Sequence, residues 1–233
     1  NCLVGSEMCI RDSNNIDYDS VGVRYKGNST FCLPNDASNQ KVPYNIDINY
    51  FVGGQKVMGY KKMKLANAWM DPTFMKQVIS AKIYQEYLPT GESNLVKLFS
   101  QGNYVGMYVN DESINKQFLD KHFDEKNGPL FKCDNIDRFC DTAGAPSAMP
   151  PNLNFLGDDS TLYYNSYDMK SDHGWTELVD LIRTIVYEFQ NIDSVLNVDR
   201  TLWAFAANQT LQNLDCYNTC LLYTSPSPRD SCA

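Results

Sequence analysis

Two groups of residues in this sequence have the types and spacing for phosphate chemistry. Arg24-Tyr25-Lys26 runs into the polar turn Gly27-Asn28-Ser29-Thr30. Such a turn can aim backbone amides at phosphate oxygens while Arg24 or Lys26 supplies charge. Taken alone, its commoner use is a plain hairpin turn. Lys61, Lys62 and Lys64 lie on one predicted strand, where alternation sends Lys62 and Lys64 to one face and Lys61 to the other with Met63 and Leu65. One of these lysines could reach phosphates, and all could equally be solvated. Among the acidic residues, Glu112 lies beyond a predicted hairpin and Asp215 after an apolar helix. A surface carboxylate and a helix-end structural aspartate are the plainer readings. Thiolate or imidazole metal sites are a poor fit, because no CxxC or Cys/His cluster appears and the only histidines are His122 and His173.

The elements that must position these residues follow from periodicity. Val21, Val23 and Tyr25 alternate with polar neighbours, as do Tyr44, Ile46, Ile48 and Tyr50 before Gly53-Gly54, and a third strand is predicted from Val57 to Leu65. Asp71-Pro72 predicts a helix start, since Asp accepts from first-turn amides and Pro suits the first helical position. Phe74, Val78, Ile79, Ile83 and Tyr87 continue it on one face until Leu88-Pro89. Leu95–Phe99 and Tyr104–Val109 flank Gln101-Gly102-Asn103 as a hairpin, and a short helix is predicted near Ser113–His122. Residues 127–172, rich in Pro, Gly, Asn and Asp, read as a loop-rich insertion. Two helices follow, one carrying Trp175, Leu178, Val179, Ile182, Ile185, Val186 and Phe189, the other Leu202, Phe205, Ala206 and Leu211, with the aromatics expected as core packing.

The chain has 233 residues with 43% hydrophobic and 21% charged, enough for one large or two small globular domains. No apolar run reaches the roughly 18 to 20 residues of a bilayer span. A net charge of −8 opposes broad nucleic-acid binding. Residues 1–13 and 220–233 lack the periodicity of the rest and look like translated sequencing-adapter strands, which leaves 14–219 as the expected natural domain. Within it remain Cys32, Cys133, Cys140 and Cys216, of which Cys133 and Cys140 could close a short loop in an oxidising compartment. Sequons at Asn28 and Asn208 are compatible with secretion.

Six segments in order resemble the successive motifs of the CotH family, the spore-coat-protein-H-like kinases. They are Arg24-Tyr25-Lys26-Gly27-Asn28-Ser29, Pro43-Tyr44-Asn45-Ile46-Asp47, Gly59-Tyr60-Lys61-Lys62, Asp71-Pro72-Thr73-Phe74-Met75, Gly106-Met107-Tyr108 with Glu112, and Asn213-Leu214-Asp215-Cys216-Tyr217. The resemblance covers nearly all of residues 21–219. It implies an α+β, atypical protein-kinase-like fold, a sheet-rich N-terminal lobe before a helical lobe truncated at its C-terminal side. The implied activity is transfer of the ATP γ-phosphate, with Mg²⁺, to Ser or Thr of a secreted, coat or surface protein. Arg24, Lys26, Gly27, Asn28 and Ser29 would then hold nucleotide, Lys61 or Lys62 would reach the phosphates, Glu112 would contact base or ribose, and Asp215 would be the catalytic carboxylate.

Departures from the family pattern accompany this. Leu214 stands where the motif reads Trp, and the helix after Asp71 carries Lys76, Gln77 and Lys82 with Glu86 as its only acid, so no obvious helix glutamate pairs with the phosphate lysine. The family's metal-binding aspartate lies further along than this sequence reaches, so the metal ligands stay unknown and the chain as given is expected to be inactive. The alternative expectation is a non-catalytic CotH-like adhesin or binding module. The expected location is extracellular, at the cell surface or in a spore coat.

Overall fold

Alternation of apolar and polar residues builds the first part of the chain into a sheet. The computed structural model describes residues 6–12, 14–27, 29–36, 38–39, 41–133, 151–213 and 216. They are α+β, as expected, and fall into two units that part between Ile114 and Asn115.

The first unit runs β1 (Ser6–Arg11), β2 (Asp17–Tyr25), α1 (Ser29–Asp36), β3 (Tyr44–Asp47), β4 (Lys62–Ala66), α2 (Lys76–Gln85), β5 (Ser93–Ser100) and β6 (Asn103–Asp111). Its strands form one sheet in the order β1-β2-β3-β4-β6-β5, each neighbour antiparallel. Tyr18, Val21, Ile46, Ile48, Val57, Leu65 and Tyr108 pack as its core. Phe31, Cys32 and Val42 form a smaller cluster against Tyr25 and Tyr44, with the Tyr25 and Phe31 rings stacked at 4.8 Å. The stretch set apart as adapter-like supplies β1, for edge pairing needs only backbone groups and no particular side-chain pattern.

Several elements differ from expectation for local reasons. Ser29 and Thr30, expected in a strand-end turn, instead open α1, which the sequence pattern did not announce because the helix holds Pro34 and lacks an apolar period. β3 stops at Asp47, since Asn49 donates its amide to Asp47 Oδ1 at 3.1 Å and accepts at Oδ1 from the Gly54 amide at 2.6 Å, side-chain turns that replace the ladder. β4 starts only at Lys62, because Met58 and Gly59, both at positive φ, make a two-residue turn with reciprocal Val57–Tyr60 hydrogen bonds of 2.9 Å. Phe74 at φ 58° delays α2 to Lys76, yet Asp71 still caps it, accepting from the Lys76 amide at 3.0 Å. On that helix Val78 is buried while Ile79 and Ile83 are exposed, as is Tyr87 just beyond its end. The expected hairpin forms around Gln101 (φ 50°) and Gly102 (φ 79°).

The second unit holds α3 (Lys116–Phe123), β7 (Phe131–Lys132), a 3-10 turn at Ser160–Tyr163, β8 (Asp168–Met169), α4 (Trp175–Tyr187), a 3-10 helix at Phe189–Ser194 and α5 (Val198–Thr210). Asn115 caps α3, its side chain accepting from the Gln117 and Phe118 amides. The loop-rich stretch 127–172 lies partly outside the described residues, but its later part builds the core: Tyr163 and Tyr167 pack with Leu178, Val179 and Ile182. The Tyr163 hydroxyl accepts from the Leu156 amide at 2.9 Å and donates to the Gly157 carbonyl at 3.0 Å, so aromatic bulk and loop backbone are fixed together. Leu178, Val179 and Ile182 of the predicted α4 stripe are buried, but Val186 is exposed and Phe189 falls in the following 3-10 helix, exposed; on α5 only Ala207 is buried and Leu202 and Phe205 stay exposed. Cys133 is a free thiol, which corrects the short Cys133–Cys140 loop, and Cys32 is disulfide-bonded. Among the described residues no helix is long and apolar enough to cross a membrane.

Candidate functional site

Sheet register gathers the polar residues. Arg24 pairs with Asn45, Asn45 with Lys64, Lys64 with Asp111 and Asp111 with Ser93, a single row across β2, β3, β4, β6 and β5. Directly paired residues of antiparallel strands present their side chains on one face. Two contacts follow from that: Arg24 Nε and Nη2 each donate at 3.1 Å to the Asn45 amide oxygen, in the amide orientation that satisfies both groups, and Ser93 Oγ donates to Asp111 Oδ1 at 2.9 Å. In the adjoining row Asp47 pairs with Lys62, whose Nζ lies 3.2 Å from Asp47 Oδ2.

Asp111 is the centre of this arrangement. Gln77, on α2, donates to its Oδ2 at 2.6 Å. Desolvation raises the Asp111 pKa, against the pull of Ser93, Lys26, Lys64 and Gln77 toward the ionised form. Lys26, two residues beyond Arg24 on the same strand line, is half-buried, and that burial lowers its pKa while Asp111 opposes the shift. Among the described residues no carboxylate lies within ion-pair distance of Lys26 or Arg24. The row thus sets Arg24 and Lys64 beside one carboxylate, Asp111, with Lys26 two residues beyond Arg24.

The turn beside Lys26 is held from several sides. The Lys26 amide donates to the Pro43 carbonyl at 3.1 Å. Asn67, buried just after β4, donates to the carbonyls of Thr30 at 2.9 Å and Lys41 at 3.1 Å. Gly27 sits at φ 81°, where a Cβ would collide with the Thr30 hydroxyl, so any L-residue here would be strained. Ser29 opens α1, which puts the helix N-terminus next to the turn.

The remaining expected residues are scattered. Lys61 is exposed, and its carbonyl accepts from the Ile48 amide at 2.8 Å. Glu112 accepts at Oε2 from the Glu92 amide at 3.0 Å, two residues before the boundary between the units. Asn28 and Asp215 lie outside the described residues. Thus Arg24, Lys26 and Gly27 are brought together, Lys62 is engaged by Asp47 in the next row, and Lys61 and Glu112 are not part of the cluster.

Sequence reasoning missed Lys64 as the lysine opposite Asp111, and missed Asp111 itself. Strand alternation had already put Lys64 with Lys62, but a pairing across 47 positions needed the register. It also missed Lys41, whose Nζ stands 4.1 Å from the Phe74 ring centroid and 5.4 Å from that of Tyr108, with burial lowering its pKa.

The model of the CotH kinase protein family matches residues 23–231. The chain belongs to the CotH kinase family. Its match begins on β2, one residue before Arg24, and spans both units. No curated protein matches the chain.

Membership in a kinase family raises the question whether this part of the first unit suits a nucleotide phosphate. Two observations fit a nucleotide there: the Gly27 cradle beside a helix N-terminus, and a desolvated Lys26 without an ion-pair partner among the described residues. A divalent cation is a separate matter. Among the described residues no group of three or more His, Cys, Asp or Glu is placed to hold a metal ion.

Proposed function

We propose that this chain is the nucleotide-holding part of an atypical protein kinase that transfers the γ-phosphate of ATP to Ser or Thr of a secreted, coat or surface protein. Lys26 carries the reading. A half-buried ammonium beside the Gly27 turn gains most when an anion arrives, because the anion restores the stabilisation that water no longer supplies. Arg24 and Lys64 add charge from the same row, and backbone amides of the turn add directed donors. Mg²⁺, when bound, neutralises charge between the phosphates; Asp215 is the residue of this chain that we assign to orient the acceptor hydroxyl. The division of the chain after Ile114 supports a two-lobe, kinase-like organisation, with Glu112 in the linker. The disulfide-bonded Cys32 and the two sequons support a secreted or surface setting.

The reading has a binding step and a transfer step, tested separately. Titration of the chain with a trinitrophenyl analogue of ATP should show saturable binding that Lys26→Met weakens about tenfold, the worth of a charged hydrogen bond. Absence of saturable binding overturns the nucleotide reading. Transfer is measured on the intact gene product with γ-labelled ATP, Mg²⁺ and Asp215→Asn as control. Leu214, where the family motif has Trp, favours a second reading as a binding module that has lost catalysis. Nucleotide binding without Asp215-dependent labelling would select it.

A further inference from the structure

Singly exposed apolar side chains are ordinary on a folded chain, but a run of them is not. The connection between β3 and β4 carries such a run. Tyr50, Phe51 and Val52 are 59%, 47% and 42% exposed, and Met58, further along the same connection, is 68% exposed. The sequence pattern continued a strand through Tyr50. Because β3 stops at Asp47, these side chains leave the sheet instead of alternating across it.

Their outward position is fixed by folded structure. Asn49 accepts from the Gly54 amide, which closes the turn that carries Tyr50, Phe51 and Val52. The Gln55 side-chain amide donates to the carbonyls of Asp19 at 2.9 Å and Ile48 at 3.2 Å, tying the middle of the connection to β2. Val57 is buried in the core, and its reciprocal bonds with Tyr60 hold Met58 at the tip of a second turn. Tyr50 rests against Gly22, where an added Cβ would stand 2.9 Å from the tyrosine Cβ and Cγ, and its ring meets that of Phe51 edge-on at 4.8 Å. Folding ordinarily takes such side chains inside; here it anchors them facing water.

Charge narrows the choice of partner. No Asp or Glu occurs between Asp47 and Asp71, whereas Lys56, Lys61, Lys62 and Lys64 do. Lys62 answers Asp47. Lys56 and Lys61 are exposed, and among the described residues neither has a carboxylate within ion-pair distance. Of the acids beside the connection, Asp19 accepts from the Cys9 thiol on β1 and Glu92 accepts from the Tyr60 hydroxyl at 3.4 Å. Two lysines are thus interleaved with the exposed apolar side chains on a chain whose net charge is −8.

We propose that the β3–β4 connection is a membrane-contact surface: Tyr50, Phe51, Val52 and Met58 enter the interfacial layer of a bilayer whose anionic headgroups meet Lys56 and Lys61. This surface serves whether or not the first unit holds a nucleotide, and contact of this kind needs no spanning helix. Rings and aliphatic chains gain by entering the acyl boundary, while lysine stems lie along it and their ammoniums reach the headgroup phosphates. A Cβ at Gly53, Gly54 or Gly59 would meet nothing within 4 Å, so neither turn carries bulk that would hold it off a plane. A protein pocket would have to match four side chains of different shape, whereas a fluid interface conforms to them.

The test mixes the full chain with vesicles of phosphatidylcholine containing phosphatidylglycerol, and with vesicles of phosphatidylcholine alone, and reads bound protein by co-sedimentation. The anionic vesicles should bind it more tightly, and added salt should erase the difference. Phe51→Ser should weaken binding about tenfold. Lys56→Gln combined with Lys61→Gln should weaken binding to the anionic vesicles alone, by roughly thirtyfold. Tyr104→Ser, on the β5–β6 hairpin where the ring is 56% exposed, should change nothing. All four positions face water, so melting temperatures should stay near the parent's. Phe51→Trp adds a reading that needs no loss of binding: its extra emission should shift to the blue with anionic vesicles and be quenched by lipids brominated on the acyl chain. The proposal falls if the parent does not bind anionic vesicles, if Phe51→Ser binds as the parent does, if Tyr104→Ser loses as much, or if the emission of Phe51→Trp does not move. Self-association that Phe51→Ser abolishes, without vesicle binding, would assign the connection to a second copy of the chain and overturn the bilayer as its partner.

Discussion

Both units of this chain carry exposed ion pairs, but among the described residues the first also keeps charged groups out of water. In the second unit the ions stay outside: Arg183 bridges Asp158 and Asp180, Lys116 meets Asp172 and Lys170 meets Asp168, all with substantial exposure. The shifted pKa values of its charged groups, such as the lowered Asp172 and raised Arg183, have hydrogen-bonded partners as their largest cause. Its interior is aromatic and aliphatic, with tyrosine hydroxyls satisfied by backbone. In the first unit Asp111 and Lys26 are shifted chiefly by loss of water, each toward its neutral form. The comparison teaches where to look for work: partners that merely find one another on a surface stabilise each other weakly, whereas charge kept out of water without full compensation awaits a ligand.

The sharpest break in the comparison is made in the second unit's interior. Ile182→Ala should cost about 2–5 kcal/mol, read as a lower melting temperature, while analogue affinity measured on the folded protein is unchanged; a parallel loss of affinity would deny that the phosphate site belongs to the first unit alone. Gly27→Ala comes next, at about 1–2 kcal/mol for an L-residue forced to positive φ, and here affinity should fall as well because the cradle is displaced. Lys26→Met should reverse the usual trade. Removing a desolvated ammonium leaves the melting temperature equal or higher while affinity drops about tenfold.

The pH dependence of the parent sharpens the same point. The folded-state pKa of Lys26 lies below its ordinary value of 10.5. Between the two values the unfolded chain binds more protons, so stability rises with pH through that window. Affinity for the analogue should fall as pH rises through the lowered value, because the ammonium is what the phosphates meet. Opposite slopes for melting temperature and affinity are the signature, and parallel slopes would remove Lys26 from the site. The smallest effect belongs to Arg183→Ala, expected to shift melting barely and affinity not at all, since both its ion pairs are exposed.

Much of this was legible in the sequence, and the limits are physical. The β5–β6 hairpin was fixed by Gln101-Gly102 and its flanking alternation, and α4 by an apolar stripe wide enough to need burial. The Arg24–Thr30 segment stood out because its residue types are costly to place together without use. Helix α1 was hidden by Pro34 and by the absence of a period, and its first turn is held by Asn67, far along the chain. Tyr163 and Tyr167 were hidden among loop-forming neighbours, although their rings anchor a core. The pairing of Lys64 with Asp111 could not be read at all, because alternation tells which face a residue takes and says nothing about which strand lies beside it.

One feature of the sheet reaches beyond binding. The row from Arg24 to Ser93 draws one residue from each of five strands, so no hairpin and no local segment contains it. A partly folded chain with one strand missing, or slipped by a residue, has no row and no clustered charge. The proposed capacity to hold an anion therefore arrives late, after the long-range pairings that make such topologies slow to form. It then acts as a latch, since any ligand of the finished row is bound by the native sheet alone and draws the whole population toward it.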